Sequence, residues 1–201
     1  MNNQFKVPAS SARTYETIKK SRFIATVQRA SSVEEAKNFI EKIKKEFPNA
    51  THNCWAYQAG APGTSTLAGK SDDGEPHSTA GKPMLNILIN SQIGEIAAVV
   101  TRYFGGVKLG TGGLIRAYSG VLKKALADLK VKKKIITVDI IFTVKYNDIT
   151  SVKHILGLFE AKIIQEVYKE NVLFKVAAPK EKAEEFKTSI TNMLNYQPVF
   201  K

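Results

Sequence analysis

Residues 102–118 read RYFGGVKLGTGGLIRAY, and five of the chain's thirteen glycines fall between Gly105 and Gly113. The near-continuous apolar run Glu95–Phe104 leads into this stretch as a strand buried on both faces. From Thr111 to about Lys130, Leu114, Tyr118, Val121, Leu122, Ala125 and Leu129 recur at helical spacing. The order is therefore strand, glycine loop, helix. The first backbone N–H groups of a helix have no intrahelical partner, and the helix dipole favours negative charge beside them. Bare glycines let an anion come close. Arg102, Gly105, Gly106, Lys108, Gly110, Thr111, Gly112, Gly113 and Arg116 form the candidate anion or nucleic-acid site. The competing reading is that glycines serve a tight turn and close helix packing.

Two nucleotide motifs are excluded. A nucleotide P-loop needs Lys directly after its second glycine, where Thr111 stands. The dinucleotide fingerprint needs a third glycine where Ile115 stands.

Working outward, residues 1–21 read as a polar lead-in, and RFIATVQ (22–28) alternates as a strand. Ser32-Val-Glu-Glu35 is a capping box opening a helix that ends near Phe47-Pro48. NCWAYQA (53–59) is a strand, 59–79 a long Gly/Pro/Ser/Asp-rich loop, and GKPMLNILIN (81–90) a short helix with Pro83 in its first turn. Beyond a hinge at Lys132–Lys134 the order is strand (135–145), helix (148–159), strands (161–168 and 172–178) and helix (180–194), with a short last strand at 197–200. That order is a split βαβ, ferredoxin-like module. The fold class is α+β in two domains, 1–131 and 132–201.

The 201 residues are 43% apolar and 24% charged, as in ordinary globular proteins. No apolar run approaches the ~20 residues of a membrane helix, and MNNQFKVPASSARTYETIKKSRF has no apolar core of a secretory signal. The single cysteine, Cys54, forms no internal disulfide, so a reducing cytoplasm is expected and no membrane partner. Thirty basic residues against eighteen acidic give +12. Eighteen against ten lie up to Lys130 and twelve against eight beyond it, so the charge is not one detachable tail. An acidic partner is expected, with nucleic acid first among the candidates.

His52 and Cys54 share a strand face, and Asp72, Asp73, Glu75 and His77 bring further donors from the long loop. No zinc spacing is met, so neither a metal nor another cofactor is expected. Asp72, Asp73 and Glu75 remain a polar loop site without an activated nucleophile, and Asp-Asp-Gly-Glu-Pro reads as a turn with a local Asx bond. Tyr103, Phe104 and Tyr118, the few aromatics near the glycine loop, read as core, which argues against sequence-specific readout of bases.

GEIAAVVTRYFGGVKLGTGGLIRAY (94–118), with SDDGEP (71–76) and TAGKPML (79–85) before it, resembles the signature of the IMPACT family, whose bacterial members are the YigZ-type proteins. One departure is His77-Ser78, where the family pattern has a small residue and a glycine before Thr79. The resemblance implies a first domain like domain IV of elongation factor G and the second domain of ribosomal protein S-five, and a second domain like domain V of that factor. It also implies association with the translation apparatus: eukaryotic members compete for the activator of an initiation-factor kinase and associate with ribosomes. It supplies no catalytic residue. Three functions stay open. The leading one is a non-enzymatic regulator binding RNA, the ribosome or a ribosome-bound factor. The second is an enzyme or binder acting on a phosphorylated small molecule or nucleotide, with Asp72, Asp73 or Glu75 holding Mg²⁺ or acting as base. The third is a protein-docking module of the translation apparatus.

Overall fold

The computed structural model describes residues 4–63, 65–194, 196, 198 and 200. The chain divides into two compact units, one spanning Phe5–Lys134 and the other running from Ile135.

The first unit is built on β1 (Gln4–Pro8), β2 (Ala12–Ile18), β3 (Ser21–Arg29), α1 (Val33–Glu46), β4 (His52–Gln58), β5 (Ala68–Ser71), α2 (Gly81–Asn90), β6 (Ile96–Tyr103), α3 (Thr111–Ala127) and β7 (Val131–Ile135), with the end residues Gln4 and Ile135 counted in the second unit. Five strands form an antiparallel sheet in the order β2-β3-β6-β4-β5, and β1 pairs with β7. Strand β6 sits at the centre because both its faces are apolar. Ile96, Ala98 and Val100 join the core under α2 and α3, packing with Phe23, Cys54, Met84, Leu88, Leu114 and Tyr118. Ala97 and Val99 point the other way, to Phe39, Ile40 and Ile43 of α1. The sheet is thus covered by helices on both faces, and consecutive residues of β6 alternate between the two cores. By the same alternation Arg102 belongs to the α2–α3 side.

Helix α1 starts with Ser32 accepting from the Glu35 N–H, as the capping box requires. Its return bond is displaced by one residue, because Glu35 Oε2 accepts from both N–H and hydroxyl of Ser31. Residues 4–18, read as a polar lead-in, form β1 and β2. Strand β2 is a sheet edge with no fully buried position, so it lacks an apolar face to announce it. The 59–79 loop is likewise interrupted by a 3₁₀ turn at Ser65–Leu67 and by edge strand β5. The lysines expected to form a hinge lie in β7, where Lys134 pairs with buried Glu95. The boundary expected at 131/132 therefore falls inside a strand.

The second unit holds β8 (Thr137–Val144), α4 (Ile149–Leu158), β9 (Lys162–Tyr168), β10 (Val172–Pro179) and α5 (Ala183–Met193). The antiparallel sheet order is β8-β10-β9. Phe142, Phe174 and Phe186 pack at its centre with Val152 and Ile190. Of the short strand expected at 197–200, Gln197 and Val199 lie outside the described residues. Phe200 bridges Phe142 of β8 in the antiparallel sense, on the position a fourth strand of a split βαβ takes.

Candidate functional site

Arg102, near the end of β6, stands opposite Phe23 of β3 and His52 of β4. It faces the core, so its charge needs a buried partner. That partner is Glu75, lowered onto the sheet end by the loop 72–80. Arg102 Nη1 donates to Glu75 Oε1 at 2.6 Å, and the two side chains are 6% and 3% exposed. The Tyr118 hydroxyl, from α3, donates to the same oxygen at 2.8 Å. His52 Nε2 lies 3.9 Å from it. Arg102 Nη2 donates to Ser21 Oγ, which also accepts from the Gly105 N–H. One polar knot therefore ties β3, β6, α3, the glycine loop and the 72–80 loop together. Burial pushes the Tyr118 phenol up, with further push from Cys54 and Glu75. The Cys54 thiol, donating to the Asp72 carbonyl at 2.9 Å, is also pushed up by burial, so it is an inert core group.

The two aspartates hold backbone. Asp72 Oδ1 accepts from the N–H groups of Ala80 and Gly81, and Oδ2 from that of Ser78, at 2.8–3.0 Å. Helix α2 has Ala80 at its start and no side-chain cap of its own, so Asp72 supplies the cap from eight residues upstream. Burial works to raise the Asp72 carboxyl; the three N–H bonds more than offset it, and the group titrates below its ordinary value. Asp73 Oδ2 accepts from the Asn53 N–H at 2.7 Å, and its carbonyl meets His52 Nδ1 at 2.8 Å. With their oxygens so engaged, neither aspartate is placed as a general base. Among the described residues no group of three His, Cys, Asp or Glu side chains is placed to hold a metal ion. Ser78 has φ +61°, the conformation glycine adopts most readily, so the loop keeps its path where serine replaces the expected glycine.

The glycines divide by task. A Cβ on Gly105 would collide with the Lys20 carbonyl, so this residue serves close packing. Gly110 has φ +73° and precedes α3 with no side-chain cap, and the first backbone bond of the helix runs from the Leu114 N–H to its carbonyl. The N–H groups of Thr111, Gly112 and Gly113 come before that bond. Thr111 and Gly112 are exposed, as are Gly106, Lys108 and Arg116. Neither Lys108 nor Arg116 joins an ion pair among the described residues. The expected constellation thus separates into an inner Arg102, committed to Glu75, and an outer rim of open N–H groups with Lys108 and Arg116.

Between the two loops lies a cavity of about 350 Å³. Its polar lining comes from Glu75, Arg102, Lys108, Gly110 and Thr111, its apolar lining from Pro76, Phe104, Leu109 and Leu114. Phe104, expected in the core, is 47% exposed, whereas Tyr118 is fully buried. The strand ends at Tyr103, and the following Gly-Gly turn carries Phe104 out of the sheet. The cavity's apolar residues were not legible as a site, although an aromatic at a strand exit before Gly-Gly is the signal that marks Phe104. Tyr118 was legible only as one residue of a helical stripe.

Comparison with known proteins covers both units. The Impact N-terminal domain family matches residues 19–126, and a domain of unknown function, DUF1949, matches 142–195. The IMPACT family member YigZ of Escherichia coli (strain K12) is 44% identical over 186 residues, covering 92% of this chain and 91% of that protein. An IMPACT family member of Haemophilus influenzae is 41% identical, covering 94% and 91%. The crystal structure of an hypothetical protein matches with TM-score 0.78 and 41% identity, covering 100% of this chain and 97% of that one.

Proposed function

Because the chain belongs to the IMPACT family, we propose that it is a non-enzymatic, translation-associated regulator acting in the cytoplasm, and that it binds RNA of the translation apparatus through phosphate contacts at the start of α3. The observation that carries this reading is the uncapped helix start at Gly110, with exposed Thr111 and Gly112 beside two cations, Lys108 and Arg116, that have no carboxylate partner among the described residues. Phosphate oxygens match such donors in charge and geometry. Arg102 supports the site from below, holding the 72–80 loop in place rather than touching phosphate. Among the described residues no helix is long and apolar enough to cross a membrane.

Thr111→Asp separates the binding role from the structural one. A carboxylate in the first turn favours the helix dipole by about 0.3–1 kcal/mol, yet it places negative charge where phosphate would sit. The variant should keep or raise the thermal midpoint and lose RNA binding in fluorescence anisotropy at low salt. Undiminished binding by a folded Thr111→Asp protein would refute the site.

A second reading is favoured by the cavity: a phosphorylated small molecule or nucleotide in free form. The oxygens of Asp72 are taken up by backbone N–H groups, and those of Asp73 by the Asn53 N–H and by Lys44 Nζ at 3.4 Å, which leaves Glu75 as its one candidate acidic group. A saturable thermal shift with free nucleotides, together with no RNA binding, would favour it.

A further inference from the structure

Open N–H groups and cations account for a phosphate but not for the space beside it. A volume of about 350 Å³ falls within the roughly 300–1,000 Å³ of small-ligand sites. Its apolar lining offers nothing to a bare anion. Three observations within it point to an organic group attached to the phosphate that offers a flat apolar face and a hydrogen-bond acceptor. The Phe104 ring is half open to solvent, while the Arg102 guanidinium lies 5.5 Å from its centroid and steadies it. Pro76 and Leu109 add further apolar surface. Arg102, 5% exposed and lining the same cavity, keeps an Nε–H without a hydrogen-bond partner among the described residues. Such a buried donor is costly unless something completes it.

Glu75 adds an acceptor. Its Oε1 takes the bonds from Arg102 and Tyr118, whereas no hydrogen bond reaches Oε2 among the described residues. The ion pair with Arg102 offsets its charge, so this oxygen can accept from an N–H without expelling a nearby phosphate. Base edges carry such donors.

We propose that this cavity is a pocket for one unstacked nucleotide of single-stranded RNA, its phosphate on the Thr111–Gly113 N–H groups and Lys108, its base on Phe104 and Leu109 with an N–H toward Glu75. This rests on the RNA-binding reading and narrows it. Single-stranded RNA is commonly read by splaying a base onto an aromatic side chain. The mode is tolerant of base identity, in keeping with one aromatic platform and one acceptor.

The test compares AMP with ribose 5-phosphate, which carries the phosphate without a base, by amide chemical-shift titration of the full chain. A mixed-sequence single-stranded RNA octamer and an RNA duplex are measured by anisotropy alongside. AMP should shift the amides of 108–114 and bind at least about fivefold more tightly than ribose 5-phosphate, the lower end of a base–aromatic stack. Phe104→Ala should erase that difference and weaken the octamer about five- to a hundredfold, leaving the duplex unaffected. Because Phe104 is half exposed, its thermal midpoint should stay near that of the parent. Equal binding of AMP and ribose 5-phosphate, or no binding of either, overturns the pocket; RNA binding still lost in Thr111→Asp would then leave the broader reading standing. AMP binding without octamer binding reassigns the pocket to free nucleotides and overturns the strand proposal. A phosphotyrosine peptide binding as tightly as AMP overturns the base.

Discussion

At the scale of single residues, the Glu75–Arg102 pair is the strongest commitment in the first unit. A buried ion pair barely exceeds its own desolvation cost, but removing one partner strands the other charge, at about 3–5 kcal/mol. Glu75→Gln should therefore lower stability by about 3 kcal/mol in urea unfolding, while the double variant with Arg102→Met should lose less than the two singles together. Additive losses would mean the pair is not coupled. Ser78 gives the opposite case: a non-glycine at positive φ carries strain of roughly 1 kcal/mol, reduced by the greater freedom glycine has when unfolded. Ser78→Gly should raise stability by up to about 0.5 kcal/mol without loosening the Asp72 bond to that N–H. Arg102 was legible as basic and close to the loop. Its inward direction was implicit too, since it shares parity with Ile96, Ala98 and Val100. What the sequence could not disclose was the partner, because Glu75 lies 27 residues away on a loop whose path depends on Asp73, Gly74 and Ser78 all taking positive φ.

At the scale of elements, α2 depends on a cap borrowed from outside itself. Asp72→Asn keeps the size but surrenders the charge and one acceptor, and should cost about 1–2 kcal/mol at neutral pH. The pH sign follows from the lowered carboxyl: its contribution is present above the ordinary value near 3.9 and is lost as pH falls through the depressed folded value. The gap in thermal midpoint between parent and Asp72→Asn should therefore narrow as pH falls below about 4; a constant gap would mean that the charge does not matter. Elements with a strong apolar period were legible. Helices α1 and α3 and strand β6 fall within a few residues of their expected bounds, as the ends of α3 at Ala127 and β6 at Tyr103 illustrate. Edge strands β2 and β5 were not, because partnering on one side leaves their side chains half exposed and their composition indistinguishable from loop.

At the scale of the whole molecule, a charge of +12 would draw the chain toward any polyanion, so binding alone does not locate a site. Salt dependence does. Each phosphate neutralised on a single strand contributes about −0.7 to the slope of log K against log salt. Losing two direct contacts should thus flatten the slope by about 1.4. Lys108→Ala with Arg116→Ala should do so on single-stranded RNA. Lys162→Ala with Lys169→Ala removes the same net charge from exposed positions of the second unit. That pair should lower affinity only through the overall field and leave the slope nearly unchanged. If both pairs flatten the slope alike, the glycine loop is one basic surface among several, and the helix start holds no privileged phosphate.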